Sequence, residues 1–92
     1  MNIRWSSYSL QDRNGILEFL ADKNPSAAVD LDIRIESAVE ALLSDHPNAG
    51  KRGRVSGTRE FVIPNTTYLV VYQVTETSIR ILRVLHTSMM WP

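Results

Sequence analysis

Two stretches in the second half of the chain hold the residues best able to do chemistry. In the first, Lys51, Arg52, Arg54 and Arg59 put four cations into nine positions. Gly53 and Gly57 would let the backbone approach an anion closely. Guanidinium forks match the paired oxygens of a phosphate or carboxylate. A solvated turn with no ligand is the plainer reading of the same loop. The second stretch, Ile81-Leu82-Arg83-Val84-Leu85-His86, is an apolar strand pattern with an arginine inside it, followed by Thr87-Ser88-Met89-Met90-Trp91-Pro92. A guanidinium leaves water only at a penalty of several kcal/mol (order of magnitude), so Arg83 needs an anionic partner. That partner is either a ligand or a structural carboxylate, Glu60 or Glu76, with the arginine stem lying on the sheet. His86 is the candidate general acid or base, because imidazole titrates near neutrality. Trp91 either packs on the sheet edge or Tyr72, or stacks a nucleobase, which contributes about 1–3 kcal/mol. His46 falls where a helix stops and serves there as a cap for the last carbonyls.

Strict alternation places Ile79, Ile81, Arg83 and Leu85 on one face of the final strand, and Arg80, Leu82, Val84 and His86 on the other. Arg83 and His86 can therefore act together only if the strand ends or bulges near Leu85. The chain has no P-loop, Rossmann glycine pattern, HExxH or nucleophile elbow, so a nucleotide cofactor is not expected. With no cysteine and only two histidines, a metal centre is not expected either.

The elements that must position these residues follow from the hydrophobic period. Asn2 to Trp5 alternates as a short strand. Ser9 and Asp12 have capping-box spacing, and Ile16, Leu17 and Leu20 share a face of the helix that follows, which ends by Lys23. Gly15 weakens that helix by about 1 kcal/mol relative to alanine. Asn24-Pro25 starts a second helix, with Ala28, Leu31, Ile35, Ala38, Val39 and Leu42 at helical spacing. His46-Pro47-Asn48-Ala49-Gly50 stops it, and so short a break between helices predicts an antiparallel pair. Lys51 to Gly57 reads as a basic loop. Thr58 to Ile63, Tyr68 to Val74 and Ser78 to Leu85 read as strands, with turns at Pro64-Asn65 and Thr75-Glu76-Thr77. Tyr68 to Val74 is apolar on both faces, hence central. The order is β-α-α-β-β-β. It predicts an α+β domain with a helical hairpin on one face of an antiparallel sheet.

Ninety-two residues with 43% apolar content fit one domain over residues 1–92 with a single compact core. No signal-peptide h-region or membrane-length apolar run is visible, so the expected location is the cytoplasm. The formal charge of zero conceals a division. Residues 1–47 hold Arg4, Arg13, Lys23 and Arg34 against eight acids, and residues 48–92 hold six basic residues against Glu60 and Glu76. Such asymmetry fits a basic working face on an acidic scaffold. It fits equally a solvated helix pair beside an arginine-rich sheet edge.

The phrases Gly50-Lys51-Arg52-Gly53-Arg54, Gly57-Thr58-Arg59-Glu60-Phe61-Val62-Ile63-Pro64, Tyr68-Leu69-Val70-Val71-Tyr72-Gln73-Val74 and Ile81 to His86 with Trp91-Pro92 occur in an order that resembles the RelE/ParE toxin superfamily. The resemblance covers nearly the whole chain. It implies the toxin half of a type II toxin–antitoxin pair, often a plasmid or chromosomal stabilisation module, inhibited by a cognate antitoxin whose tail lies across the sheet and helices. RelE-like members cleave mRNA in the ribosomal A site, and ParE-like members inhibit DNA gyrase without catalysis. Fold alone does not choose between them.

For ribosome-dependent cleavage, by 2′-OH attack on the adjacent phosphate, the resemblance implies Arg59, Arg83 and His86 as the catalytic set. Lys51, Arg52, Arg54 and Trp91 would hold the RNA, with no cofactor. That activity is the expectation taken from the sequence. Gyrase inhibition is its alternative, and an inactive relative that only binds antitoxin is a third reading. Leu69 and Gln73 stand where many relatives carry arginine, and Thr87-Ser88-Met89-Met90 replaces further polar positions. Fewer cations weaken phosphate binding, and Met89-Met90-Trp91 offers an adaptable apolar contact instead.

Overall fold

A computed structural model describes residues 2–92, except for the side chains of residues 42–44, so the expected core position Leu42 lies outside the described residues. The chain forms β1 (Asn2–Trp5), α1 (Ser7–Ala21), α2 (Pro25–Asp45), β2 (Lys51–Arg52), β3 (Arg59–Val62), β4 (Tyr68–Val74) and β5 (Ser78–His86). The strands make one sheet in the order β1-β5-β4-β3-β2. This is the expected α+β architecture, with two local differences. β1 runs parallel to β5, so the sheet is mixed. The helical pair carries the chain from β1 to β2 at the opposite edge. The β2–β5 meander brings it back so that β5 runs parallel to β1, the two neighbours being joined by the long connection that parallel pairing needs. Lys51 and Arg52, expected in a loop, pair with Glu60 and Arg59 as a short edge strand and satisfy part of β3's otherwise open edge.

Local chemistry fixes where the helices begin. Ser6, not the Ser9–Asp12 pair, caps α1: its Oγ accepts from the Ser9 N–H at 3.0 Å and donates to the Leu82 carbonyl at 2.8 Å. Ser9 is buried, and its hydroxyl donates to the Ser6 carbonyl. Asn24 caps α2 as its sequence implies, its Oδ1 accepting from the Ala27 N–H at 3.2 Å. Arg13 staples the two helices, donating to Asp32 at 2.9 and 3.0 Å and to Glu36 at 2.9 Å while lying over the Trp5 ring.

The sheet has a core on each side. On the helix side, Ile35 and Val39 of α2 meet Ile63, Val70, Tyr72, Ile79, Ile81 and Val84. Each such side chain contributes about 1.5–3 kcal/mol when fully buried. On the outer side, Leu69, Val71 and Leu85 are buried with help from Leu82 and Trp91. Trp91 therefore lies across the sheet from Tyr72 and does not touch it. Tyr72 instead ties the α2 exit to the sheet: its hydroxyl donates to the Pro47 carbonyl at 2.9 Å and accepts from the Gly50 N–H at 2.8 Å. A side chain at Gly50 would put its Cβ 2.7 Å from that hydroxyl, so only glycine fits. Among the described residues no helix is long and apolar enough to cross a membrane.

Candidate functional site

One register shift decides how β5 presents its side chains. Val71 pairs with Arg83 but Tyr72 pairs with Ile81, so Leu82 is an extra residue opposite the Val71/Tyr72 step. The bulge sits where β1, whose last pairing is Trp5 with Ile81, leaves the sheet. Bulges bend a strand and change which face its later residues occupy. As a result Ile79, Ile81, Val84 and His86 share the helix side, while Arg80, Arg83 and Leu85 share the outer side, since cross-strand partners share a face. A strand end or bulge near Leu85 was the condition for Arg83 and His86 to act together. The bulge occurs at Leu82 and leaves the two on opposite faces.

Beyond Ile81 the β1 side of β5 has no strand beside it, and the start of α1 fills the space. Asp12 is the residue that closes it. Its Oδ2 accepts from the Val84 N–H at 2.9 Å and from Arg83 Nε at 2.7 Å, and its Oδ1 accepts from an Arg83 terminal nitrogen at 2.9 Å. The guanidinium also lies over the rings of Tyr8 and Trp91, at 5.9 and 5.5 Å from their centroids. Hydrogen bonding to Asp12 raises the Arg83 pKa further above its ordinary value. The structural partner is thus Asp12 rather than Glu60 or Glu76, because the arginine head turns round the strand edge instead of lying along the sheet.

Glu60 has its own partner. Its carboxylate, 3% exposed, accepts from the Arg54 backbone N–H at 2.9 Å and from the Arg54 side chain at 3.0 to 3.2 Å. Those bonds hold the Glu60 pKa below the usual carboxylate value against the opposing effect of burial. They also fix the loop over residues 53–58, where Gly57 takes a positive φ of 81°.

Arg59 lies on the helix side opposite Tyr72. It donates to the carbonyls of Gly50 at 2.7 Å and Asn48 at 3.3 Å. Arg52 is its direct cross-strand neighbour. With Arg54, Asn48, Ser56 and Thr58 they line an open bowl of about 640 Å³ at the β2–β3 corner, with no carboxylate in its wall. The bowl can hold an oxyanion, but its wall has no group suited to taking a proton at neutral pH.

His86 stands at the other end of the sheet. Its Nδ1 accepts from the Ser88 N–H at 3.1 Å and lies 2.7 Å from the Ser88 hydroxyl, and its ring meets Tyr68 edge-on at 5.3 Å between centroids. Four residues along β4 and two strands across separate it from Arg59, on the order of 16 Å between Cα atoms. A general base must come within about 3 Å of its proton. The expected set therefore divides three ways: Arg59 with Arg52 at the bowl, His86 at the far end, Arg83 on the outer side against Asp12. Lys51 lies on the outer side opposite Glu60, and Trp91 covers the outer core beside Arg83. His46 is exposed, and its carbonyl accepts from the Ala49 N–H at 3.0 Å, so it serves the helix exit through its backbone. Among the described residues no group of three or more His, Cys, Asp or Glu is placed to hold a metal.

Sequence reasoning missed Asp12, which it assigned to a cap, and Arg4 and Arg80, which the sheet pairs on the outer side. The available signal was geometric: β5 is more than twice as long as β1, so something from α1 had to satisfy the excess strand edge.

The comparisons with known proteins agree with this architecture. The sequence model of the ParE toxin of type II toxin–antitoxin systems (parDE) matches residues 3–91. The Y4kP protein of Sinorhizobium fredii (strain NBRC 101917 / NGR234), named as a candidate toxin, is 33% identical over 90 residues, covering 98% of this chain and 92% of its own. Among solved structures, the chromosomal ParDE system of P. aeruginosa is similar with a TM-score of 0.85 at 22% identity, covering 94% of this chain and 95% of that one. The RelBE2 toxin–antitoxin complex of Mycobacterium tuberculosis is similar with a TM-score of 0.63 at 22% identity, covering 92% and 95%. This chain belongs to the ParE toxin family of type II toxin–antitoxin systems.

Proposed function

We propose that this toxin acts by binding DNA gyrase and performs no covalent chemistry of its own. The observation that carries the reading is the Arg83–Asp12 pair: the arginine that would neutralise a phosphorane is engaged by a carboxylate at 2.7 and 2.9 Å. Phosphodiester cleavage needs a base, a phosphate clamp and an acid around one reacting atom. Here the candidates for those roles lie on two faces and at two ends of the sheet. Inhibition by binding needs only a complementary surface, which a rigid sheet with fixed side chains provides. As a toxin of a type II system, its other partner is an antitoxin protein.

The deciding experiment adds purified toxin to two reactions. In a supercoiling assay with gyrase and relaxed plasmid, inhibition is expected. On translating ribosomes the mRNA should stay intact. Cleaved mRNA with supercoiling untouched would overturn the proposal in favour of the ribonuclease reading. No growth arrest on induction would mark an inactive antitoxin-binding relative.

A further inference from the structure

Pairing of β1 with β5 sets two arginines side by side. Arg4 lies directly opposite Arg80, both exposed, and among the described residues neither makes an ion pair. Neighbouring strands are about 4.8 Å apart, and like charges placed opposite each other repel. Gln73 extends the same row onto β4. The next row across the outer side runs Lys51, Glu60, Val71, Arg83. In that row Asp12 neutralises Arg83 and Arg54 neutralises Glu60, so among the described residues the unpaired cations of this face are Lys51 on β2 and, side by side on β1 and β5, Arg4 and Arg80. Toward the other end of the face the side chains become apolar: Val62 is 48% exposed, above the buried Leu69 and Leu85, with Trp91 packed beside them.

We propose that this outer face is the surface with which the toxin grips its target, and that its occupant is an acidic protein segment. That segment would place carboxylates on the Arg4–Arg80 pair and apolar side chains over Val62 and Trp91. The inference rests on the binding-only reading and names the contact it requires. Arginine flanking an aromatic and aliphatic patch is the composition of a protein interface centre. A duplex backbone would need a longer track of free cations, and a chain of zero net charge has no overall attraction for a polyanion.

The test compares full-length wild type with Arg4→Glu/Arg80→Glu, with each single alanine variant, and with Arg34→Glu on the helical hairpin as control. Supercoiling inhibition, binding to the gyrase holoenzyme, growth arrest on induction and co-purification with the antitoxin are read in parallel, after circular dichroism and melting confirm folding. The double reversal is expected to weaken inhibition and gyrase binding at least about tenfold and to abolish growth arrest. Each alanine should weaken them about threefold and Arg34→Glu less than twofold. Antitoxin co-purification should survive. Full inhibition and arrest by the folded double variant would overturn the surface. So would tight duplex-DNA binding by wild type that the double variant loses, which would make the face a nucleic-acid site. Growth arrest without gyrase inhibition in wild type would refute the gyrase reading, and loss of that arrest in the double variant would still support the surface.

Discussion

The Arg83–Asp12 pair joins the last strand to the first helix across 71 positions of sequence, and it is partly buried on both sides. Removing either member leaves the other without its charged partner, and changing Asp12 also disturbs the bond its carboxylate accepts from the Val84 N–H. Arg83→Ala and Asp12→Asn should each destabilise the fold by about 1–3 kcal/mol, and a double-mutant cycle should show coupling of about 1–2 kcal/mol in urea unfolding. His86 has no comparable partner. His86→Gln is expected to leave supercoiling inhibition within about twofold of wild type, whereas a nuclease dependent on this imidazole would lose about a hundredfold or more. The types of these residues could be read from the sequence, but their partners could not. Arg83 announced that it needed an anion; which one depended on how far β5 outruns β1, a property of two elements together.

At the level of elements, the loop over residues 53–58 is held in place by a single acid. Glu60 has a depressed folded-state pKa because Arg54 hydrogen-bonds its charged form. The stability this contributes is present above the unfolded-state carboxylate pKa and is lost as pH falls through the lower folded value. Melting temperatures of wild type should therefore fall over that acidic window more than those of Glu60→Gln, which starts lower at neutral pH. The start of α1 gives a second expectation. Ser6→Ala removes both the cap to Ser9 and the bond to the Leu82 carbonyl, and should lower stability by about 1–2 kcal/mol.

The strand and helix spans were legible because their periods are unmistakable. Tyr68–Val74 ends where its apolar run ends, and Pro25 opens α2 where a proline can. The bulge at Leu82 was not legible, since nothing in Ile81-Leu82-Arg83 breaks the alternation of a strand. It coincides with the point where β1 leaves the sheet. One extra residue reversed the predicted face of every described strand side chain after it, yet left Arg83 and His86 on opposite faces, as alternation had placed them.

For the molecule as a whole, eight of the ten acids lie in the helical hairpin and seven of the ten basic residues in the sheet and its loops. Contacts made through the outer face should weaken as salt rises above about 0.1 M, where the screening length falls below about 10 Å. The outer core is thin, and the C-terminal segment completes it. Trp91→Ala should destabilise by about 2–4 kcal/mol and raise binding of an apolar dye, because Leu69, Val71 and Leu85 lose their cover.

The chain has two indoles, and they sit on opposite sides of the sheet: Trp5 belongs to the helix-side core, Trp91 to the outer one. A Trp5→Phe protein, excited at wavelengths that tyrosine does not absorb, would emit from a single indole lodged beside a guanidinium, on the side away from the helices. Its colour and quenching would then report, in real time and without a label, whether a ligand settles on that side or elsewhere.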